Sequence, residues 1–138
     1  MNLAGIARSL DWAPLEAFSV LQLKELGFTP QETEEAFDLA ALMGMNNTYY
    51  KFKSALPADV IADPAYARIG LRNTSMKQTS IGQHLTETIA FTVSVINGCP
   101  SCMTAHEKAL TNLGVSREKI HDLARLASVT KGLSHIKK

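Results

Sequence analysis

The sequence has few of the features that mark membrane, secreted or disulfide-stabilised proteins. It holds only two cysteines among 138 residues, and a chain of this length buries about 68% of the surface of its unfolded state, so it can fold without disulfides. No uninterrupted apolar run reaches the roughly 18 residues of a membrane-spanning helix. The first residues, "MNLAGIARSLDWAPLEAF", lack the apolar stretch of a signal peptide. We therefore expect a cytoplasmic protein without membrane contact.

An excess of charge of one sign is also missing. The chain has 14 Lys and Arg against 13 Asp and Glu, a net charge of +1, and its one basic cluster is the short tail Lys137–Lys138. We therefore expect no nucleic-acid partner. The hydrophobic fraction of 46% and the charged fraction of 20% are ordinary for a globular protein. Uniform composition at this length predicts a single domain over residues 1–138.

Capping and turn residues divide most of the chain into helices. Thr29, Pro30 and Glu32 have the spacing of an N-cap, a first-turn proline and a capping box. The expected elements, in chain order, are a helix from Ala13 to Leu26 closed by Gly27, a helix from Pro30 to about Met43, the element "NTYYKFKSAL" ending before Pro57, the irregular segments "PADVIADPAYARIG" and "LRNTSMKQTS", and a final helix after the N-cap Ser116.

Residues 88–96 carry a conflicting signal. Apolar residues alternate there with Thr and Ser, which is the period of a strand, and Asn97–Gly98 looks like a hairpin turn. However, a shift of 54 residues superposes Ala36-Phe37 on Ala90-Phe91, Gly44 on Gly98 and Ala55-Leu56 on Ala109-Leu110. The first copy is rich in helix-forming residues, so we predict that 81–96 is helical as well. The predicted fold is all-α, with two related helical hairpins that turn at Gly44 and Gly98, plus flanking helices.

Both cysteines lie in the segment "INGCPSCMTAHEKAL". Pro100 fits the first turn of a helix, which places Cys99 at its N-cap and Cys102 in its first turn. Residues three apart on a helix are neighbours, so a disulfide between them is sterically allowed. The amides at a helix N-terminus also stabilise a thiolate. His106, one turn past Cys102, can exchange a proton with a thiol on that face.

Glu87 lies 12 residues before Cys99, on the preceding predicted helix. In a hairpin that turns at Gly98, Glu87 would lie about 15 Å and His106 about 9 Å from the turn. A favourable rotamer or one water can join the two side chains across that offset. Carboxylate, imidazole and thiols in a row form a proton relay, which reversible thiol oxidation requires.

A Cys-x-x-Cys pair also fits other functions. In the cytosol it is more often catalytic or metal-binding than structural. A zinc site would need two further ligands, and His84, His121 and His135 lack the usual spacing from His106. A further alternative is that the cysteines are two ordinary thiols. Helix physics alone favours the first cysteine of such a pair as the more exposed thiolate.

The stretch "ETIAFTVSVINGCPSCMTAHEKAL" resembles the AhpD-like alkylhydroperoxidases of the carboxymuconolactone decarboxylase superfamily. The motif of that family is a glutamate, a Cys-x-x-Cys twelve residues later and a histidine four residues after the second cysteine. Glu87, Cys99, Cys102 and His106 stand at those spacings. "MGMNNTYYKFKSAL" and "GVSREKIHDLARLASVTKGLSH" are also similar to family segments. The resemblance implies an all-α fold with a core over roughly residues 30–135.

The resemblance further implies a peroxidase of antioxidant defence. Cys102 would attack a hydroperoxide, Cys99 would resolve the product as a disulfide, and Glu87 and His106 would relay protons. A dithiol donor, such as a protein-bound dihydrolipoyl group, would restore the thiols. No haem, flavin or metal cofactor is implied. The alternatives are a non-catalytic redox sensor, a disulfide reductase, and a metal-binding or small-molecule-binding helical domain.

Two departures from the family and one packing argument complete the expectations. Ser101 stands where the family has a second histidine, and the N-terminal region looks shorter than in full-length AhpD. The apolar stretches 37–43 and 89–96 are expected to be too extensive to be buried together in one small chain. We therefore expect subunit contacts to cover them. The family implies oligomers built on trimers, so we expect a homo-oligomer, either a trimer or a hexamer.

Overall fold

The computed structural model describes residues 1–71, 76 and 79–136. All regular secondary structure in this part of the chain is helical, which confirms the predicted all-α class. The elements are α1 (Asn2–Ser9), α2 (Ala13–Glu25), α3 (Pro30–Ala55), α4 (Ala58–Ile61), a 3-10 turn (Pro64–Tyr66), α5 (Gln83–Asn97), α6 (Pro100–Asn112) and α7 (Arg117–Ser134).

The capping signals of the sequence are present where they were expected. At the start of α3, Thr29 Oγ1 accepts a hydrogen bond from the Glu32 amide at 3.1 Å, and the Glu32 carboxylate accepts one from the Thr29 amide at 2.8 Å. At the start of α7, Ser116 Oγ accepts from the Lys119 amide. These reciprocal bonds satisfy amides that the first turn of a helix leaves without partners.

The turn predicted at Gly44 is wrong, because α3 passes through this residue without a break. The helix is 26 residues long and joins the two segments that were assigned to the arms of a first hairpin. A glycine inside a helix costs only about 1 kcal/mol relative to alanine, which packing of α3 against α1 and α5 can offset. The helix ends at Ala55, because the residue before Pro57 is held in an extended conformation.

Helix α5 is the centre of the fold, and its helical prediction is confirmed over the strand-like pattern. Every residue from 86 to 94 is buried, since α5 packs against α1, α3, α6 and α7. A helix covered on all sides has no amphipathic period, so its sequence can imitate a strand. Its buried hydroxyls bond to backbone carbonyls one turn earlier, as Ser94 Oγ does to Ala90 O at 2.7 Å.

Two hydrophobic clusters lie on opposite sides of α5. One joins α5 to α1, α2 and α3, and the other joins it to α6 and α7. The first cluster contains Phe37, Leu39 and Met43 together with Ile89 and Val93. The expectation that these two stretches cannot be buried in one chain is therefore wrong. Their bulk is accommodated because the stretches pack against each other.

The N-terminal helix α1 was not predicted from the sequence. It packs against α5 and α3 with Ala4, Ile6 and Ala7 fully buried. A Cβ atom at Gly5 would lie 2.9 Å from the Ile89 side chain, a distance that real Cβ contacts do not tolerate. Gly5 therefore permits the close approach of α1 to the central helix.

The segment between α3 and α5 is short and irregular over residues 57–71, as predicted, with one turn of helix and one 3-10 turn. Most of "LRNTSMKQTS" lies outside the described residues, and so does the basic tail at 137–138. None of the helices in the described ranges combines the length and apolarity needed to cross a membrane.

Candidate active site

A sharp turn between α5 and α6 positions the two cysteines. Gly98 ends α5 with a φ of 64° and a ψ of 45°, a left-handed conformation that strains residues with a side chain. Cys99 is extended and serves as the N-cap of α6, as is usual for a residue before proline. Pro100 then begins α6, so three consecutive residues end one helix and start the next.

Two residues of α3 bond to the C-terminal end of α5 and so hold this turn. The Asn47 amide donates to Ser94 Oγ at 3.0 Å, and its carbonyl oxygen accepts from the Asn97 side chain at 3.0 Å. Lys51 Nζ donates to the Asn97 carbonyl at 3.1 Å. Asn47 is almost completely buried, at 1% exposure. The end of α5 is thus fixed by side chains that lie about 50 residues away in sequence.

Cys99 and Cys102 are joined by a disulfide, with their Cα atoms 5.3 Å apart. The structure therefore holds the oxidised form of the pair. Cys99 is fully buried, whereas Cys102 retains 6% exposure and borders a cavity. In this disulfide form Cys99 is not the more exposed of the two cysteines, whereas the relative exposure of the two free thiols stays a prediction.

Glu87 and His106 meet directly. Glu87 Oε2 lies 2.7 Å from His106 Nδ1, so the rotamer alternative joins them and no bridging water is needed. Both side chains are largely buried, at 10% and 16% exposure. The second oxygen of Glu87 accepts from Gln83 Nε2 at 2.8 Å, which holds the carboxylate in place from one turn earlier on α5.

This contact defines which nitrogen of His106 is available. An ionised carboxylate only accepts hydrogen bonds, so Nδ1 carries the hydrogen that bonds Glu87. Nε2 is then the nitrogen that can exchange a proton with a group in the cavity that His106 borders. A neighbouring carboxylate also stabilises the imidazolium that forms when Nε2 takes up a proton.

The cavity beside Cys102 has a volume of about 320 Å³. One wall is α6, which contributes Cys102 and His106. A second wall is α3, which contributes Met43, Asn46 and Tyr50. A pocket of this size suits a small molecule, and its walls bring together a thiol position, an imidazole and mostly apolar surface.

Ser101, the residue in place of a second histidine, is exposed on the first turn of α6. Its hydroxyl lies 3.7 Å from Cys99 Sγ, within hydrogen-bonding range for sulfur. Ser101 therefore contacts the buried cysteine, and it also borders the cavity. It can donate a hydrogen bond to that sulfur but cannot act as a base near neutral pH.

Sequence reasoning found the four residues of the motif but missed those that support them. Met43, Asn46 and Tyr50 stand at spacings of three and four residues, which place them on one helical face. That stripe is visible only when α3 is read as continuous, so the turn wrongly predicted at Gly44 concealed it. Gln83 was also detectable, since it precedes Glu87 by one helical turn.

The other histidines lie away from this site. His84 borders a different pocket, with Lys119 and Asp122, and His121 and His135 are exposed on or just after α7. Within the described part of the chain, no three or more His, Cys, Asp or Glu residues are arranged to hold a metal ion.

Comparison with known proteins gives consistent matches. The Carboxymuconolactone decarboxylase family matches residues 63–138. Alkyl hydroperoxide reductase AhpD of Corynebacterium kroppenstedtii is 35% identical over 99 residues, which cover 72% of this chain and 55% of that protein. AhpD of Anaeromyxobacter dehalogenans is 33% identical over 102 residues, covering 72% and 52%. AhpD of Mycolicibacterium paratuberculosis is 30% identical over 153 residues, covering 97% and 83%.

The chain thus spans about half the length of the first two relatives and most of the third. The family match covers more than half of the 138 residues and includes both cysteines and His106. The all-helical architecture agrees with the fold expected from the resemblance. The chain therefore belongs to the Carboxymuconolactone decarboxylase family, in which it is similar to AhpD.

Proposed function

We propose that this protein is a thiol-dependent peroxidase that reduces alkyl hydroperoxides or hydrogen peroxide through a Cys99–Cys102 disulfide cycle. One observation carries the proposal: Cys102 and His106 border the same cavity, and His106 is bonded to a buried carboxylate. This arrangement supplies a thiol, a base beside it and a group that stabilises the protonated base. The similarity to proteins named alkyl hydroperoxide reductase supports the same activity.

In the proposed first step, His106 Nε2 takes the proton of the Cys102 thiol. The thiolate attacks the terminal oxygen of the hydroperoxide, a sulfur–oxygen bond forms and the oxygen–oxygen bond breaks. Sulfur is oxidised by two electrons to a sulfenic acid. The leaving alkoxide takes the proton back from His106 and departs as an alcohol. The position of Cys102 in the first turn of α6 supports its role as nucleophile, because the helix amides stabilise a thiolate there.

In the second step, the Cys99 sulfur attacks the Cys102 sulfur, the sulfur–oxygen bond of the sulfenic acid breaks and a disulfide forms. The departing hydroxide takes up the proton of the Cys99 thiol and leaves as water. The close Cα separation and the complete burial of Cys99 support this resolving role. Restoring two thiols takes two electrons and two protons, which a dithiol supplies by exchange. We propose a protein-bound dihydrolipoyl group as that donor and the cytoplasm as the compartment.

A stopped-flow assay tests this function. The reduced protein is mixed with tert-butyl hydroperoxide or hydrogen peroxide, and turnover is followed with dihydrolipoamide or glutathione as reductant. We expect repeated turnover with dihydrolipoamide and slower recycling with the monothiol. A protein that consumes neither peroxide when reduced would contradict the proposal.

We also propose that the protein is a homo-oligomer, either a trimer or a hexamer. The support is apolar surface on two helices far from the central core. On α2, Phe18 is 50% and Leu21 62% exposed, and on α7 Val129 is 62% exposed. Large apolar side chains in such groups mark contact surfaces. Light scattering coupled to size exclusion should give a mass near three or six chains, and a monomer at micromolar concentration would contradict this.

The second candidate is a redox sensor that does not turn over peroxide. It is favoured by the side chains of α3 that bond to the end of α5, since Asn47 and Lys51 connect the disulfide-bearing turn to the long helix. A change in the conformation of this turn on disulfide formation would therefore be transmitted to α3 and to the surfaces along it. Peroxide oxidation that occurs once, without recycling by any dithiol, would support this candidate over the peroxidase.

A further inference from the structure

Two adjacent asparagines of α3 differ in their hydrogen bonding. The Asn47 side chain is fully engaged with α5, as described above. Asn46 is also buried, at 9% exposure, yet none of the described residues forms a hydrogen bond with its side chain. Among the described residues, the fully buried side-chain polar atom without a partner is Asn2 Oδ1 and not an atom of Asn46, so the Asn46 amide is open to the cavity that it borders. Within the described residues, Asn46 is therefore a largely buried side chain whose amide is free to bond a partner in the cavity.

The location of Asn46 indicates what that partner is. Asn46 borders the cavity that Cys102 and His106 also border. Its neighbours along the same wall are Met43, one turn before, and Tyr50, one turn after. The unpaired amide is therefore next to the space where a molecule attacked by Cys102 would lie.

We propose that Asn46 is a substrate-contacting residue whose Nδ2 donates a hydrogen bond to the leaving oxygen of the hydroperoxide. This inference rests on the proposed peroxidase function. As the Cys102 thiolate displaces that oxygen, the electron pair of the oxygen–oxygen bond moves onto it, and it becomes an alkoxide until His106 protonates it. A fixed donor beside the developing charge stabilises the transition state more than the neutral substrate.

The lack of a protein partner favours this role over a purely structural one. An asparagine that stabilises the fold does so through its bonds, as Asn47 does with Ser94 and Asn97. Asn46 has no such bonds within the described residues, so its amide contributes little to holding α3. The continuous helix places its Cα at the cavity wall, and the burial of the side chain limits its motion there.

The test compares two reagents that attack the same sulfur. Reduced Asn46→Leu keeps nearly the volume of asparagine but has no donor, and Asn46→Gln keeps the amide, one methylene further into the cavity. Met45→Leu, on the exposed face of α3, serves as the control. For each variant, the rate constant of Cys102 is measured with tert-butyl hydroperoxide and with iodoacetamide, which expels iodide and needs no donor to an oxygen leaving group.

We expect Asn46→Leu to lower the peroxide rate by about 10- to 100-fold, a loss typical of one hydrogen bond to a charged oxygen. Alkylation by iodoacetamide, its pH profile and the unfolding temperature should stay as in the wild type. Asn46→Gln should recover part of the peroxide rate, and Met45→Leu should keep all of it.

The outcomes that overturn the inference are distinct. An unchanged peroxide rate in Asn46→Leu shows that the amide does not act on the leaving oxygen. An equal loss with both reagents shows that it acts on the thiol instead. If Asn46→Leu does not fold, Asn46→Ala replaces it under the same criteria. A wild-type protein that does not react with peroxide at all refutes the peroxidase function itself, and the inference with it.

Discussion

Residues 36–56 and 90–110 match at a spacing of 54 residues, yet one is a straight helix and the other is a turned pair of helices. Both contain a glycine at the corresponding position, Gly44 or Gly98. The difference lies in the next two residues, which are Met45 and Asn46 in the first copy and Cys99 and Pro100 in the second. Proline cannot continue a helix and holds the preceding residue extended, so it converts a tolerated glycine into a turn.

The same comparison shows that the candidate reacting residues lie in one segment and the side chains that support them lie in the other. The second copy carries Cys102 and His106, and the corresponding residues of the first copy are Thr48 and Phe52. The straight copy instead supplies the side chains that bond to the turn and the second wall of the cavity. The two segments thus have different roles, because only the one with a turn presents a helix N-terminus beside its neighbour.

The largest expected effect removes the proposed nucleophile from the turned copy. Cys102→Ser should abolish peroxide consumption, whereas Cys99→Ser should still allow one stoichiometric oxidation at Cys102. The reason is that Cys102 borders the cavity and Cys99 is sealed beneath it. Mass spectrometry of peroxide-treated wild type should show the loss of two hydrogens within one peptide. Activity retained by Cys102→Ser alone would reverse the two assignments.

The next effect is on the proposed proton relay. His106→Phe gives this position the residue of its first-copy partner Phe52, and Glu87→Gln removes the charge that stabilises the imidazolium. Each should slow turnover by about 10²- to 10⁴-fold, the usual contribution of general acid–base catalysis. Because the two side chains act through one hydrogen bond, the double variant should lose less than the product of the single losses. Full additivity, with unfolding temperatures unchanged, would show that they act separately.

The third prediction concerns the two corresponding positions, 46 and 100, that decide whether the chain turns. Substitutions there should change the free energy of unfolding by different amounts. Asn46→Pro places a proline inside α3 and should lower the free energy of unfolding by about 3 kcal/mol or more. Pro100→Ala should cost only about 0.4–1 kcal/mol, because alanine is accepted at the first position of α6 and only the stiffness of proline is lost. Urea denaturation measures both. Similar losses in the two variants would show that α3 already contains a flexible joint.

The smallest expected effect is a change in the free energy of unfolding that has opposite signs when Gly44 and Gly98 are each replaced by alanine. Gly44→Ala should raise the free energy of unfolding by about 0.5–1 kcal/mol, since alanine is the better helix former and no atom lies within 4 Å of the added Cβ. Gly98→Ala should lower it by about 1–2 kcal/mol, because its positive φ strains an L-residue.

Gly98→Asn is the control for this pair, because asparagine tolerates the left-handed conformation better than alanine does. It should recover part of the loss. Thermal denaturation followed by circular dichroism is sufficient for all three variants. The same sign for both alanine variants would mean that the backbone at these positions is not as different as the structure describes.

Local signals in the sequence predicted the parts of the molecule that local physics determines. The capping box at Thr29 and the start of α6 at Pro100 were both found, because each depends on residues within one turn of helix. The sequence predicted that Glu87 and His106 lie close together, since a hairpin places both on facing helices, but it left open whether they meet directly or through one water. The direct contact depends on the rotation of α5, which the sequence pattern does not give.

The remaining features depend on contacts between distant residues. Asn47 bonds to Asn97 across 50 positions, and nothing near Asn47 announces that partner. Helix α1 is short, and it is held by packing on α5 around Gly5 rather than by its own propensity. The error at Gly44 had a different origin, because a glycine alone does not indicate whether a helix ends.

The complete burial of Cys99 has a consequence for tolerance of oxidative stress. In the proposed cycle, a sulfenic acid at Cys102 has two fates, closure by Cys99 or attack by a second peroxide that gives a sulfinic acid. Closure here requires no unfolding and no collision between molecules, since both sulfurs lie within one turn of the same helix. Its rate is therefore independent of peroxide concentration, whereas overoxidation rises in proportion to it. The fraction of Cys102 lost to sulfinic acid in each turnover should therefore rise gradually with peroxide concentration. It reaches one half where the two rates are equal, and that concentration measures how fast the turn closes.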